Sequence, residues 1–223
     1  MITRLLASAV ALSVAFAPAA FAQDAAAPTV GAIPLAANAD ATQDLDNILH
    51  LDLSNGKRVT IRLVPEWAPG HVERIKTLTR QGFYDGIVFH RVIDGFMAQT
   101  GDPTGTGRGG SELPDLAAEF NVFPHVRGSV AMARANERDS ANSQFFIVFY
   151  PRFSLDRNYT NFGRVIAGMD AADGIERGEP PANPTYIVQA SIGADNKPPK
   201  LPPPPAAPVA AFTPPPSGQP LTR

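Results

Sequence analysis

The sequence predicts a mainly β domain of the small antiparallel kind, a sandwich or a barrel, over residues 44–195. Three observations predict it: short β-branched or aromatic runs with period-two alternation, Gly-containing turns between them, and a single clear amphipathic helix. This stretch is long enough for one domain with a real core and too short for two ordinary ones.

The elements follow in chain order. Leu49, Leu51 and Leu53 alternate with His50 and Asp52, the period of a half-buried strand. Ser54-Asn55-Gly56-Lys57 marks a turn, because Asn-Gly tolerates positive φ, and Val59, Ile61 and Leu63 resume the alternation. The two runs therefore form a hairpin. Trp67 to Gln81 carries Val72, Ile75, Leu78 and Thr79 near one face, and Gly82 stands where a C′ glycine ends a helix. Further strands are predicted over Ile87–Val92, Phe96–Thr100, Ser129–Ala133, Gln144–Phe149, Asn161–Ile166 and Tyr186–Ile192. A shorter helix fits Met169–Ile175, with Gly178 and Pro180 after it. A barrel closed on itself and capped by helices satisfies the pattern, because closure removes exposed strand edges.

The flanks have other compositions. Residues 1–22 read as a secretory signal peptide: Arg4 is the positive n-region, Leu5 to Phe16 the apolar h-region, and Ala20-Phe21-Ala22 the cleavage site. The apolar run is too short for a good membrane span. The mature chain is thus expected to begin at Gln23, in the periplasm, with no membrane attachment after signal removal. Residues 23–43 form an Ala/Pro-rich linker. Residues 196–223 form a Pro-rich tail, with 11 of the 23 prolines falling in Lys197–Arg223. Proline has no N–H and a fixed φ, so this tail is expected to be a polyproline II or disordered spacer.

Composition removes several chemistries. The chain has no Cys, which excludes disulfides, thiolate zinc and a Cys nucleophile. Its formal charge is −2 without a Lys/Arg block, so nucleic acid is not an expected partner. His50, His71, His90 and His125 are scattered with no metal-ligand spacing, and no metal or cofactor is expected. His90 reads as a satisfied structural histidine. Gly101 to Gly107 lacks the Lys-Ser/Thr of a phosphate loop, and Ser129, Ser140 and Ser143 lie in no G-x-S-x-G elbow.

The most specific signal is the run Phe83 to Asp102, with Phe89-His90-Arg91, then Gly95-Phe96-Met97-Ala98-Gln99, then Gly101-Asp102. Three further blocks follow in order: Gly105-Thr106-Gly107 with Gly109-Gly110; Met132-Ala133-Arg134-Ala135 with Ser143-Gln144-Phe145-Phe146; and Leu155-Asp156 with Phe162-Gly163. Together they resemble the cyclophilin-type peptidyl-prolyl cis–trans isomerases over about residues 47–192. The resemblance implies a closed eight-stranded antiparallel β-barrel capped by two α-helices, acting on proline-containing polypeptides; nothing in the sequence suggests more than a monomer.

It also implies site residues. Arg91 matches the arginine that binds the substrate proline's carbonyl and approaches its ring nitrogen, and Gln99 would orient Arg91 or contact the substrate backbone. Phe96, Met97, Phe146, Leu155 and Tyr159 match the proline pocket, whereas Phe89, Phe120, Phe145 and Ile147 are assigned to core. Gly105, Ala133, Arg134, Ala135 and Gln144 match the peptide groove.

Some positions depart from the family pattern. Arg134 stands where many members have Asn, Tyr159 where His is common, and Ser154, beside Phe153, where eukaryotic members carry a rim Trp. The linker between Ala135 and Gln144 is one residue longer. Loss of the rim Trp predicts weak cyclosporin inhibition; potent inhibition at nanomolar drug would contradict it. A second reading is non-enzymatic, a chaperone or docking module, against which the retention of Arg91 argues.

Overall fold

The computed structural model describes residues 43–202. The signal peptide, the linker up to residue 42 and the tail from residue 203 lie outside the described residues.

Eight strands form one antiparallel sheet: β1 (Ile48–Leu53), β2 (Arg58–Leu63), β3 (Arg91–Ile93), β4 (Met97–Thr100), β5 (Ser129–Met132), β6 (Phe145–Val148), β7 (Asn161–Ala167) and β8 (Ile187–Ile192). Their order is β3-β4-β6-β5-β7-β2-β1-β8. The sheet curls until the segment ahead of β3 meets the start of β8. There the seam is closed by short exchanges rather than a continuous ladder: Phe89 N–H donates to Thr185 O, and Gly86 and Ile187 bond across. The strand expected over Ile87–Val92 is accordingly regular only from Arg91, with an isolated bridge at Val88–Tyr186 before it. Gly86 at φ +85° turns the chain there and breaks the pleat.

Two helices cap the sheet, α1 (Pro69–Arg80) and α2 (Met169–Asp173). Helix α1 starts two residues later than the periodicity suggests, because a residue before proline is pushed out of the α region while Pro69 itself suits the first turn. Ala68 offers no capping side chain. Glu119 replaces it from a distant loop, accepting the N–H groups of Gly70 and His71 and bonding His71 Nδ1 at 2.6 Å. At the other end Gly82 has φ +72°, and Phe83 N–H reaches back to Leu78 O, the expected glycine stop.

The core lies between the sheet and α1, where Leu49, Leu51, Ile61, Ile75, Phe89, Phe145, Ile147 and Phe162 are fully buried. Phe120 is not in it. Its ring is half-buried under the guanidinium groups of Arg134 and Arg138, 5.9 and 5.1 Å from its centroid. Contacts with the sheet also run past residue 195: Lys200 N–H donates to the buried Asp52 carboxylate, and Gln189 donates to Pro198 O.

Candidate active site

The period of a strand places two different surfaces on the same residues. On β6, Phe145 and Ile147 enter the main core while Phe146 and Val148 join a second, smaller apolar cluster. On β5, Val130 and Met132 face the core and Ala131 the cluster; on β4, Ala98 faces the core and Met97 the cluster. Register then brings the outer set together, since Arg91 pairs with Gln99, and Gln99 and Ala131 both pair with Phe146.

Over this cluster lies a cavity of about 280 Å³ whose apolar walls are Phe96, Met97, Phe146, Leu155 and Tyr159. Arg91 and Gln99 line one side, Ala133 and Arg134 another. The volume falls below the roughly 300–1,000 Å³ of drug-sized sites, which suits one ring or side chain. Phe146 forms its floor. Tyr159 meets that ring edge-on at 5.8 Å, and the His125 ring stacks near it at 6.5 Å. Asp156 accepts both the N–H of His125 and a bond from its Nδ1, each at 2.8 Å, which ties the Leu155 turn to the wall behind Phe146. The Arg134 guanidinium lies 4.8 Å above the Tyr159 ring and donates to the carbonyls of Asn158, Ala135 and Asn136. It therefore acts here as a clamp on the rim loops.

A second cavity of about 530 Å³ adjoins the first and shares Ala133 and Arg134 with it. Ala135 and Gln144 line it, opposite Gly107, Arg108 and Gly109. Gln144 donates to the carbonyls of Gly107 and Gly109 and accepts from Gln99 Nε2 at 2.8 Å, so one amide chain links both cavities.

Asp102 organises the facing loop. It accepts the N–H and hydroxyl of Thr104 at 2.7 and 2.8 Å, and the N–H of Gly107. A Cβ on Gly109 would stand 2.2 Å from its carboxylate, so glycine is required there. Burial opposes ionisation of Asp102, but the bonds from Thr104, Gly109 and Gly107 outweigh it and hold its pKa down to about 2.

Eleven of the twelve residues expected at the site thus line the two joined cavities. Gly105 does not. Its N–H closes a turn onto Asp102 O at φ +66°, which carries it to a separate hollow of about 360 Å³ beside Phe83 and Val88. Gln99 makes no side-chain hydrogen bond to Arg91 among the described residues; its Nε2 donates to Gln144. Arg91 instead donates from Nε to Glu179 Oε2 at 2.7 Å. Glu179 was invisible to sequence reasoning: it lies 88 residues from Arg91, in a loop without a motif. His90 is buried, yet neither ring nitrogen has a partner among the described residues, so it is not the satisfied histidine expected. Its ring packs against Gly107, 3.6 Å from where a Cβ would stand.

The titrating groups give a pH prediction. Burial holds the pKa of all four histidines below 6.5, outweighing the pull of Glu119 on His71 and of Asp156 on His125. Below about pH 6.5 the unfolded chain takes up protons that the folded chain refuses, so stability falls. Glu119, where burial is outweighed by bonds from His71 and Gly70, and Asp102 are both held below their ordinary values of 4.5 and 3.8. Their contributions are lost as the pH falls further, toward about 2 for Asp102. Thermal melts are therefore expected to show Tm falling steadily from pH 7.5 to pH 3; a Tm at pH 5 equal to or above that at pH 7.5 would refute the assignment.

Comparisons with known proteins place the chain in a family. The family described as "Cyclophilin type peptidyl-prolyl cis-trans isomerase/CLD" matches residues 48–192. A probable peptidyl-prolyl cis-trans isomerase of Brucella suis is 45% identical over 185 residues, covering 76% of this chain and 92% of the relative. Peptidyl-prolyl cis-trans isomerase B of Bacillus subtilis is 41% identical over 128 residues, covering 57% and 89% respectively. Among solved structures, a cyclophilin from Hirschia baltica superposes with a TM-score of 0.64 at 32% identity, covering 70% of this chain and 77% of that one. The family match, the relatives and the pocket built on β4, β5 and β6 agree: the chain belongs to the cyclophilin-type peptidyl-prolyl cis-trans isomerases.

Proposed function

We propose that the enzyme isomerises X–Pro bonds of exported proteins, with Arg91 stabilising the twisted amide and the Phe146-floored cavity holding the proline ring. One observation carries this reading: Arg91 stands at the edge of the cavity walled by Phe96, Met97, Phe146, Leu155 and Tyr159. Amide resonance imposes a rotation barrier of about 18–20 kcal/mol, and uncatalysed exchange takes about tens to hundreds of seconds. No bond is made or broken, so the reaction needs only a grip on the ring and a donor that favours the twisted state. On twisting, the proline nitrogen loses conjugation and its lone pair becomes a better acceptor. A guanidinium aimed there stabilises the transition state over both planar states. Gln99 lines this cavity and Gln144 its larger neighbour, where the peptide preceding proline would lie.

The test is cis-to-trans exchange of an Ala-Pro peptide by wild type and Arg91→Ala. Fast exchange by both would remove Arg91 from this role. The export half of the proposal rests on Arg4, the run Leu5 to Phe16 and Ala20-Phe21-Ala22. It predicts a periplasmic chain beginning at Gln23; an N-terminus still at Met1 in the native protein would overturn it.

A further inference from the structure

Arg91 is 43% exposed on a strand of three residues, which is a poor way to aim a long side chain. A free arginine samples many rotamers, and each misdirected one is lost to catalysis. Something must hold the guanidinium.

The segment between α2 and β8 is built to do so. Gly178 and Val92 exchange backbone bonds in both directions, at 2.8 and 2.9 Å, which fastens this segment to β3 one residue from Arg91. Glycine is required at 178: its φ is +146°, and a Cβ would lie 2.5 Å from Pro181 Cα. Arg177, just before it, donates to the carbonyls of Asp173 and Ile175 and lies 4.4 Å over the Phe149 ring. Glu176 N–H is held by the Thr185 hydroxyl. Glu179 thus arrives on a braced loop and accepts the Arg91 Nε–H at 2.7 Å.

This is the one side-chain hydrogen bond Arg91 makes among the described residues. It occupies the Nε–H and leaves the four Nη N–H groups for the cavity that Arg91 lines. A carboxylate on the Nε edge fixes the plane of the guanidinium without competing for its outer face. We propose that Glu179 is the positioning residue of the isomerase, setting the aim of Arg91 through Nε. Gln99 makes no side-chain bond to Arg91 among the described residues, and its Nε2 donates to Gln144. The pair is solvent-exposed at both ends, 43% and 51%, so it adds little to fold stability. Its effect is on orientation. The proposal rests on the role assigned to Arg91, and the experiment separates the two.

Full-length enzyme would be compared with Glu179→Gln, Glu179→Asp, Arg91→Ala and the double variant Arg91→Ala/Glu179→Gln. The readouts are kcat and KM on an Ala-Pro peptide and the proton resonance of the Arg91 Nε–H. Glu179→Gln is expected to lower kcat by about fivefold to twentyfold with KM within twofold and Tm unchanged. Glu179→Asp is expected to recover part of the loss. The Nε–H resonance should move upfield in Glu179→Gln as the carboxylate bond is lost. In the Arg91→Ala background the same substitution should have no further effect. A kcat within twofold of wild type in Glu179→Gln would overturn the positioning role. So would a loss that persists in the Arg91→Ala background, since Glu179 would then act by another route. An Arg91→Ala enzyme as fast as wild type would overturn the role of Arg91 itself, and this one with it.

Discussion

Arg91→Ala is expected to reduce kcat/KM on an Ala-Pro peptide by about 10²–10³, the usual cost of removing one preorganised donor from a transition state. The reduction should fall mainly on kcat. The ring-binding walls Phe96, Met97, Phe146, Leu155 and Tyr159 stay in place, so ground-state binding is largely kept. Tm should hardly move, because the pair lost with Glu179 is exposed and such pairs contribute about 0–1 kcal/mol. Arg91→Lys tests the geometry separately from the charge. Lysine brings a point charge without the planar fork, and it cannot keep Nε on Glu179 while presenting Nη to the substrate. It should therefore restore only a small part of the activity. Stopped exchange assays across the three proteins would decide the matter. A Lys enzyme as fast as wild type would mean that charge alone suffices, and that the fixed guanidinium plane is irrelevant.

The second large effect separates two neighbours on β6. Phe145→Ala removes a fully buried ring that packs edge-on against both Tyr84 and Phe162, at 5.5 and 6.1 Å. Truncations of this kind cost about 3–5 kcal/mol. For a domain of this size that lowers Tm by roughly 10 °C or more. The fraction that remains folded should turn over substrate normally, since Phe145 does not line the cavity. Phe146→Ala should behave in the opposite way. It removes the floor under the proline ring, where apolar burial is worth about 1.5–3 kcal/mol, so KM should rise about tenfold or more. Its Tm loss should be clearly smaller, because the smaller cluster is partly open to solvent at Phe96 and Tyr159. Thermal melts and kinetics on both variants provide the check. Equal Tm losses, or equal KM changes, would show that the two faces of β6 are not the separate surfaces described above.

The adjacency of Phe145 and Phe146 also shows how far the sequence could be read. Alternation along Gln144–Phe149 predicts a strand, and a strand must send these rings to opposite faces. It does not say which face is core. Here the motif positions decided, assigning Phe145 to the core and Phe146 to the pocket, and the packing agrees. Phe120 went wrong for the same reason in reverse. An isolated aromatic in a loop carries no period, and its partners, Arg134 and Arg138, come from a different part of the chain. Gly105 was placed by motif, but the loop bends around Asp102 and carries it away from the groove.

What the sequence determined by itself is whatever depends on near neighbours. The hairpin of β1 and β2, the glycine stop after α1 and most of the strands follow from turn chemistry and side-chain period within a few residues. The ordered motif blocks also carried the family, and eleven of the residues they named line the two joined cavities. The tertiary structure alone decided what caps α1, what braces Leu155 and what holds Arg91. Those answers are Glu119, Asp156 and Glu179, and all three bond partners far away in the chain, His71, His125 and Arg91. A carboxylate needs only to be brought within about 3 Å of its donor, and any loop of suitable course can bring it. Period and spacing contain no record of that course. It is set by how the curled sheet closes, where Val92 meets Gly178 and Phe89 meets Thr185.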